Sequence, residues 1–235
     1  MSEVKFNPHV SVDCVVFGFD GKNLKVLLLE RHIKEQNEFY NDKKLPGSII
    51  FETEDLESAA YRILNELTGL KNIYLSQFQS FGDPKRTKNP RDIVWLENTT
   101  NLKIGRIVTV GYVALIKINS LLQLKNEYAD VVWFDVNKLG KTRLAFDHVQ
   151  IIQKGLAYIR RKSDLEPELL FELLPRKFTI SQLRILHDTI HQKQSDVRNF
   201  QKKVKKMPYV VALGEKEKNV PHRAANLYKF DRKKV

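Results

Sequence analysis

Glu52, Glu54 and Glu66 are three of the five acids within the stretch LPGSIIFETEDLESAAYRILNELTGL (45–70). Carboxylates gathered on one helix can hold divalent cations, and a cation so held can activate water against a diphosphate. Leu56, Ala59, Ala60, Ile63, Leu64 and Leu67 recur at helical spacing, with Asp55 as N-cap and Gly69 as the stop. Positions 63, 66 and 67 share one face of that helix. Only Glu66 is acidic there, and beside Ile63 and Leu67 it makes a poor cage for a hard cation. The face reads as core, with no metal expected and no cofactor implied. HDTIH (187–191) has a zinc-like His spacing, but Asp188 replaces the usual glutamate and no third ligand stands nearby, so it reads as polar helix surface.

The second chemistry is anion binding. The chain has 235 residues and a net charge of +12. From Leu174 onward there are 16 Lys and Arg against 5 Asp and Glu, leaving 24 against 23 before it. A near-neutral body with a basic tail points to nucleic acid. Thr179 and Gln182 form a capping box before an apolar stripe of Leu183, Leu186 and Ile190. After the polar turn QKQS, Ser195 or Asp196 can cap a second helix with Val197, Phe200, Val204 and Met207 inward. Lys202, Lys203, Lys205 and Lys206 are left outward, with Arg198, Asn199 and Gln201 near its start. YVVAL, a charged turn and AANLYKF then read as a hairpin. The whole is a winged helix-turn-helix. Arg198, Asn199 and Gln201 suit base edges, the lysines suit phosphates, and Thr179 and Ser181 open the first helix. Lys216, Lys218, His222 and Arg223 lie on the wing.

Ahead of the tail, strands are predicted over 11–20, 24–31, 73–81, 106–118 and 130–136, with a hairpin at Asp20-Gly21. Together with the 56–67 helix they give an α+β layered fold. Residues 84–105 read as a long binding loop carrying Trp95. Val149, Ile152, Leu156 and Ile159 predict a connecting helix, and Pro167 a further short one, with the division into two domains near residue 160 (1–160 and 161–235). The single cysteine, Cys14, excludes an internal disulfide and reads as core. No apolar run is long enough to span a membrane, and MSEVKFNPHV lacks a signal-peptide core, so a cytoplasmic protein is expected.

The stretch 45–70 resembles the Nudix box. Glu54, Arg62, Leu64, Glu66, Gly69, Leu70 and the Leu-Pro-Gly lead-in match, whereas Ser48, Ile63 and Leu67 replace a glycine and two glutamates. FGDP, FTISQL, the RNF of the second tail helix and NLYKF extend the resemblance to the Nudix-related regulators of the NrtR type. That resemblance implies a Nudix-like mixed sheet and helix sandwich followed by a winged helix. It also implies a homodimeric repressor on a palindromic DNA operator, answering to ADP-ribose or a sugar. The degraded box and near-neutral front half favour a sugar, arabinose by analogy, over ADP-ribose; an active diphosphate hydrolase is the rival. Arg31, Lys44, Gly47, Asp83, Trp95 and Tyr112 are the expected effector contacts.

Overall fold

The computed structural model describes residues 5–35, 38–118, 130–218, 220–221 and 223–234. Strand β1 (Phe6–Phe19) is its axis. Alternation along β1 sends Val12, Cys14 and Val16 to one face and Ser11, Asp13, Val15 and Phe17 to the other. Strand β2 (Leu24–Glu35) returns antiparallel from the Asp20–Asn23 turn, where the Asp20 carboxylate accepts from the Lys22 and Asn23 N–H groups.

The sheet divides along β1. Strand β3 (Glu38–Lys44) pairs with the far half of β2, and β4 (Gly47–Phe51) pairs with the first half of β1 as far as Asp13↔Gly47. The Leu45–Gly47 turn sits in the split, with the Cys14 N–H donating to Pro46 O at 2.8 Å. Helix α1 (Leu56–Thr68) covers the Cys14 face, capped by Asp55 and stopped by left-handed Gly69 at φ 74°. Strand β5 (Ser76–Phe81) begins three residues later than expected.

Residues 84–105 are not an open loop. A 3-10 turn (Pro84–Thr87) leads into helix α2 (Pro90–Thr100), whose first turn carries Asn89 as cap and Pro90 at its opening position. Those starting signals were present in the sequence. The helix packs through Ile93, Trp95 and Leu96 onto Ile49, Ile104 and Ile107, a small cluster apart from the main cores.

Strand β6 (Val108–Lys117) runs parallel to β1, from Val10↔Val108 to Phe19↔Lys117, and β7 (Val131–Asp135) pairs with β2. Helix α3 (His148–Leu165) then lies across the Val15 face. Pro167–Glu172 is a six-residue 3-10 helix rather than an α-helix.

The tail has the expected order: α4 (Ile180–His191), α5 (Val197–Lys205), β8 (Val210–Lys216) and β9 (Asn226–Phe230). Thr179 and Gln182 make the capping box reciprocally, at 3.1 and 2.9 Å, and Asp196 caps α5. Val197 corrects one expectation. It is 50% exposed, because the buried stripe of α5 begins at Phe200 and continues only to Val204. Phe178 and Tyr228 exchange backbone hydrogen bonds, tying the wing to the entrance of α4.

One apolar cluster runs from Val15 and Phe17 through Ile152 and Leu156 to Leu183 and Phe200. Helix α3 is its spine, and Arg160 Nε donates to Ile190 O at 2.9 Å. Among the described residues no helix is long and apolar enough to cross a membrane.

Candidate functional site

A cleft opens where the split sheet meets the start of α3. Its floor is Asp13, a lone acid inside the apolar strand VSVDCVV. Thr109 Oγ1 donates to Asp13 Oδ2 at 2.8 Å, His148 Nε2 lies 3.4 Å from Oδ1, and Arg86 Nη2 is 3.6 Å from Oδ2. Burial alone would raise the Asp13 pKa. His148, Arg86 and Thr109 outweigh it and hold the carboxyl well below the usual carboxylate range. Gly47 makes this approach possible: a Cβ there would stand 2.0 Å from Asp13 Oδ1 and 2.8 Å from Val12 O.

Arg86 also holds Asp147, at 3.0 to 3.2 Å, so both acids at the foot of α3 share one guanidinium. The segment before α3 is fastened to β3, since Ala145 N–H donates to Lys43 O. Phe146 next to it adopts φ 49°, which a bulky residue rarely takes. Its N–H is held by Asp92 Oδ2 at 3.0 Å. Asp92 Oδ1 in turn accepts from Arg31 Nη2 at 2.5 Å, and Arg31 makes a two-pronged pair with Asp42, its cross-strand neighbour. Arg31, Asp92 and Phe146 thus lock β2, α2 and the start of α3 together.

Four of the expected effector residues come together here. Arg31 lies 5.0 Å from the centre of the Trp95 ring, and Lys44 Nζ lies 5.2 Å from it on its way to Gly47 O at 2.7 Å. Both cations are buried rather than on the surface. Burial pushes the Lys44 ammonium down to about 8. Among the described residues, Arg31 Nη1 is the buried side-chain nitrogen without a hydrogen-bond partner. Asp83 and Tyr112 lie elsewhere. Asp83 is exposed and caps the 84–87 turn, and Tyr112 points to the α1 face, its hydroxyl 3.2 Å from Gln77. Asp13, Arg86, Asp92 and His148 went unrecognised in the sequence. Only Asp13 carried a local sign, an acid in an otherwise apolar run. The lining encloses a cavity of about 30 Å³, roughly room for one water.

The box helix is arranged differently from a cation site. Ile63 is fully buried among Ala59, Ala60 and Val16, and Leu67 packs on the same core. Arg62 Nη1 binds Glu66 at 2.9 Å, and its other nitrogens bind Glu54. The guanidinium therefore occupies Glu54 and Glu66, two of the three glutamates at positions 52, 54 and 66. No group of three His, Cys, Asp or Glu among the described residues is placed to hold a metal.

On the tail, Arg198, Asn199, Gln201, Lys202, Lys203, Lys205 and Lys206 are all exposed along α5. Ser181 is exposed at the start of α4, whereas Thr179 is buried as its cap. Lys216, Lys218 and Arg223 are exposed on the wing, and His222 lies outside the described residues. His187 and His191 stack on α4, ring centres 4.3 Å apart, as partly buried rather than free surface groups.

The Nudix domain family matches residues 7–155, and the NrtR DNA-binding winged helix domain matches 170–230. The chain is 29% identical over 226 residues to the ADPR responsive transcriptional repressor NtrR of Acinetobacter baylyi, covering 95% of this chain and 82% of that protein. It superposes on the crystal structure of Shewanella oneidensis NrtR complexed with a 27mer DNA with TM-score 0.64 and 28% identity, over 94% of this chain and 93% of that one. The NUDIX domain of the same protein complexed with ADP ribose gives TM-score 0.50 and 29% identity, over 64% and 88%. The chain belongs to the Nudix family, and behind its Nudix domain it carries a winged helix of the NrtR type.

Proposed function

We propose that this chain is a homodimeric transcriptional repressor whose Nudix domain binds ADP-ribose and whose paired winged helices hold a palindromic operator. The observation that carries the effector reading is Arg31 Nη1, a buried guanidinium nitrogen lacking an acceptor beside Trp95 and Lys44. A buried unsatisfied donor costs about 1–3 kcal/mol. A phosphate oxygen would satisfy it, Lys44 would take up negative charge beside it, and Trp95 offers a ring for the adenine. The relatives described above are named for ADP-ribose.

Arabinose, expected by analogy once the degraded box and near-neutral front half favoured a sugar, finds no support among these relatives. At the cleft Arg31 and Arg86 are already paired with four carboxylates, leaving Lys44 as the cation without one among the described residues and Arg31 Nη1 as the open donor. Since the cavity is small, ligand entry requires α2 to move. That helix buries only Asp92 and Leu96 and packs on a satellite cluster, but Asp92 pins it to Arg31 and the Phe146 N–H, so its displacement must break that lock. Hydrolysis is not part of this reading, because Ile63 and Leu67 belong to the core and Arg62 engages Glu54 and Glu66.

Titration calorimetry with ADP-ribose and arabinose, paired with a mobility shift on the DNA upstream of the protein's own operon, tests the proposal. ADP-ribose should bind and change the shift, and arabinose should do neither. Robust Mg²⁺-dependent turnover of ADP-ribose that Glu66→Gln abolishes would overturn the non-enzymatic part.

A further inference from the structure

A second cavity, of about 230 Å³, lies between α3, α4 and α5, away from the cleft. Phe171, Leu183, Phe200 and Met207 form its apolar walls. His187, His191, Lys203 and Asp164 also line it, Asp164 beside His191. The histidines are weakly engaged: His187 Nδ1 is 3.5 Å from Asp188, and His191 Nδ1 is 3.8 Å from Asp164, whose side chain is largely exposed. Lys203 makes no ion pair with any described residue, and its charge acts on both imidazoles. The cavity thus joins aromatic walls to an ammonium without an ion-pair partner among the described residues, beside two imidazoles. Its size suits a ligand of one or two fused rings, smaller than a nucleotide.

We propose that this cavity binds small aromatic carboxylates, ring between Phe171 and Phe200 and carboxylate on Lys203 and the histidine pair. Phe200 and Lys203 belong to α5, so occupancy also draws Lys203 away from DNA phosphate and weakens duplex binding. This coupling rests on the DNA-binding reading above, whereas the site itself does not.

Naphthalene-2-carboxylate is the probe and neutral naphthalene-2-methanol the control, each titrated into the full chain and followed by naphthyl fluorescence. The carboxylate should bind saturably, one per chain, and Lys203→Gln should weaken it about three- to tenfold while leaving the control unchanged. Met207→Trp, which fills the space, should abolish binding of both compounds. If that variant fails to fold by circular dichroism, Lys203→Gln, at an exposed position, decides alone. No saturable binding, indifference to Lys203→Gln, or competitive displacement by ADP-ribose overturns the site. In a separate titration with duplex DNA, saturating carboxylate should lower the affinity. Unchanged affinity overturns the coupling, and absence of duplex binding without the probe overturns the DNA reading instead.

Discussion

Leu45 and His148 are joined across the molecule by a hydrogen bond from the Leu45 N–H to His148 Nδ1, at 3.0 Å. With Nδ1 accepting, the imidazole carries its proton on Nε2, toward Asp13. The lead-in turn of the box, the centre of β1 and the first residue of α3 are therefore held by one buried ring. His148→Ala leaves the Leu45 N–H and part of Asp13 unmatched. It should destabilise the fold by about 1–3 kcal/mol, read as a lower denaturation midpoint in urea with an unchanged slope.

Lys44 predicts a pH dependence. Its folded pKa of about 8 lies below its ordinary 10.5. Between those values the unfolded chain keeps a proton that the folded chain has lost, so stability from this group rises with pH across that interval. Lys44→Met should remove the rise, measured by urea denaturation at pH 7, 9 and 10. ADP-ribose should bind less well in the same range, by at most about tenfold per pH unit, as the ammonium is lost.

Trp95→Leu keeps an apolar residue on α2 and removes the aromatic plate. ADP-ribose affinity should drop by roughly 1–3 kcal/mol, the range for base–aromatic stacking. Duplex affinity without ligand should stay the same. A calorimetric change below twofold would take Trp95 out of the effector site.

Restoring the box acids should not be symmetric. Ile63→Glu places a carboxylate in a fully buried site with no partner, a loss of roughly 3–5 kcal/mol. Leu67→Glu, at a partly buried position, should cost markedly less. Thermal unfolding of the two variants checks the order, and a stable Ile63→Glu protein would contradict the placement of that helix face.

The α5 lysines should act through salt. Lys202→Gln and Lys206→Gln, if each removes one phosphate contact, should lower the slope of log affinity against log salt by about 0.9 apiece. Asn199→Ala should instead cost about 1–3 kcal/mol on the preferred operator and little on unrelated DNA. Fluorescence anisotropy at several salt concentrations separates these effects.

Local patterns were legible wherever a residue's role depends on its near neighbours. Asp55 to Gly69 and Thr179 to Ile190 carry caps, periodicity and stops within a few turns of chain, and both helices form as written. Helix α2 had the same starting signals in Asn89 and Pro90, but its sparse apolar face of Ile93 and Leu96 hid it in a polar segment. Strands β3 and β4 escaped because EFYNDKK and GSIIF become strands only through partners at Leu29–Glu35 and Phe6–Asp13.

The sequence alone determined the order of the modules, the loss of two box acids to aliphatic residues, and the concentration of positive charge in the tail. Each is a property of residue type and spacing, which folding cannot alter. Tertiary structure decided which charges meet. Arg31 finds Asp92 and Trp95, and Asp13 finds Arg86 and His148, across long separations in the chain. Burial there raises the cost of any unmatched polar atom, so a nearly neutral domain still presents an incompletely satisfied cleft.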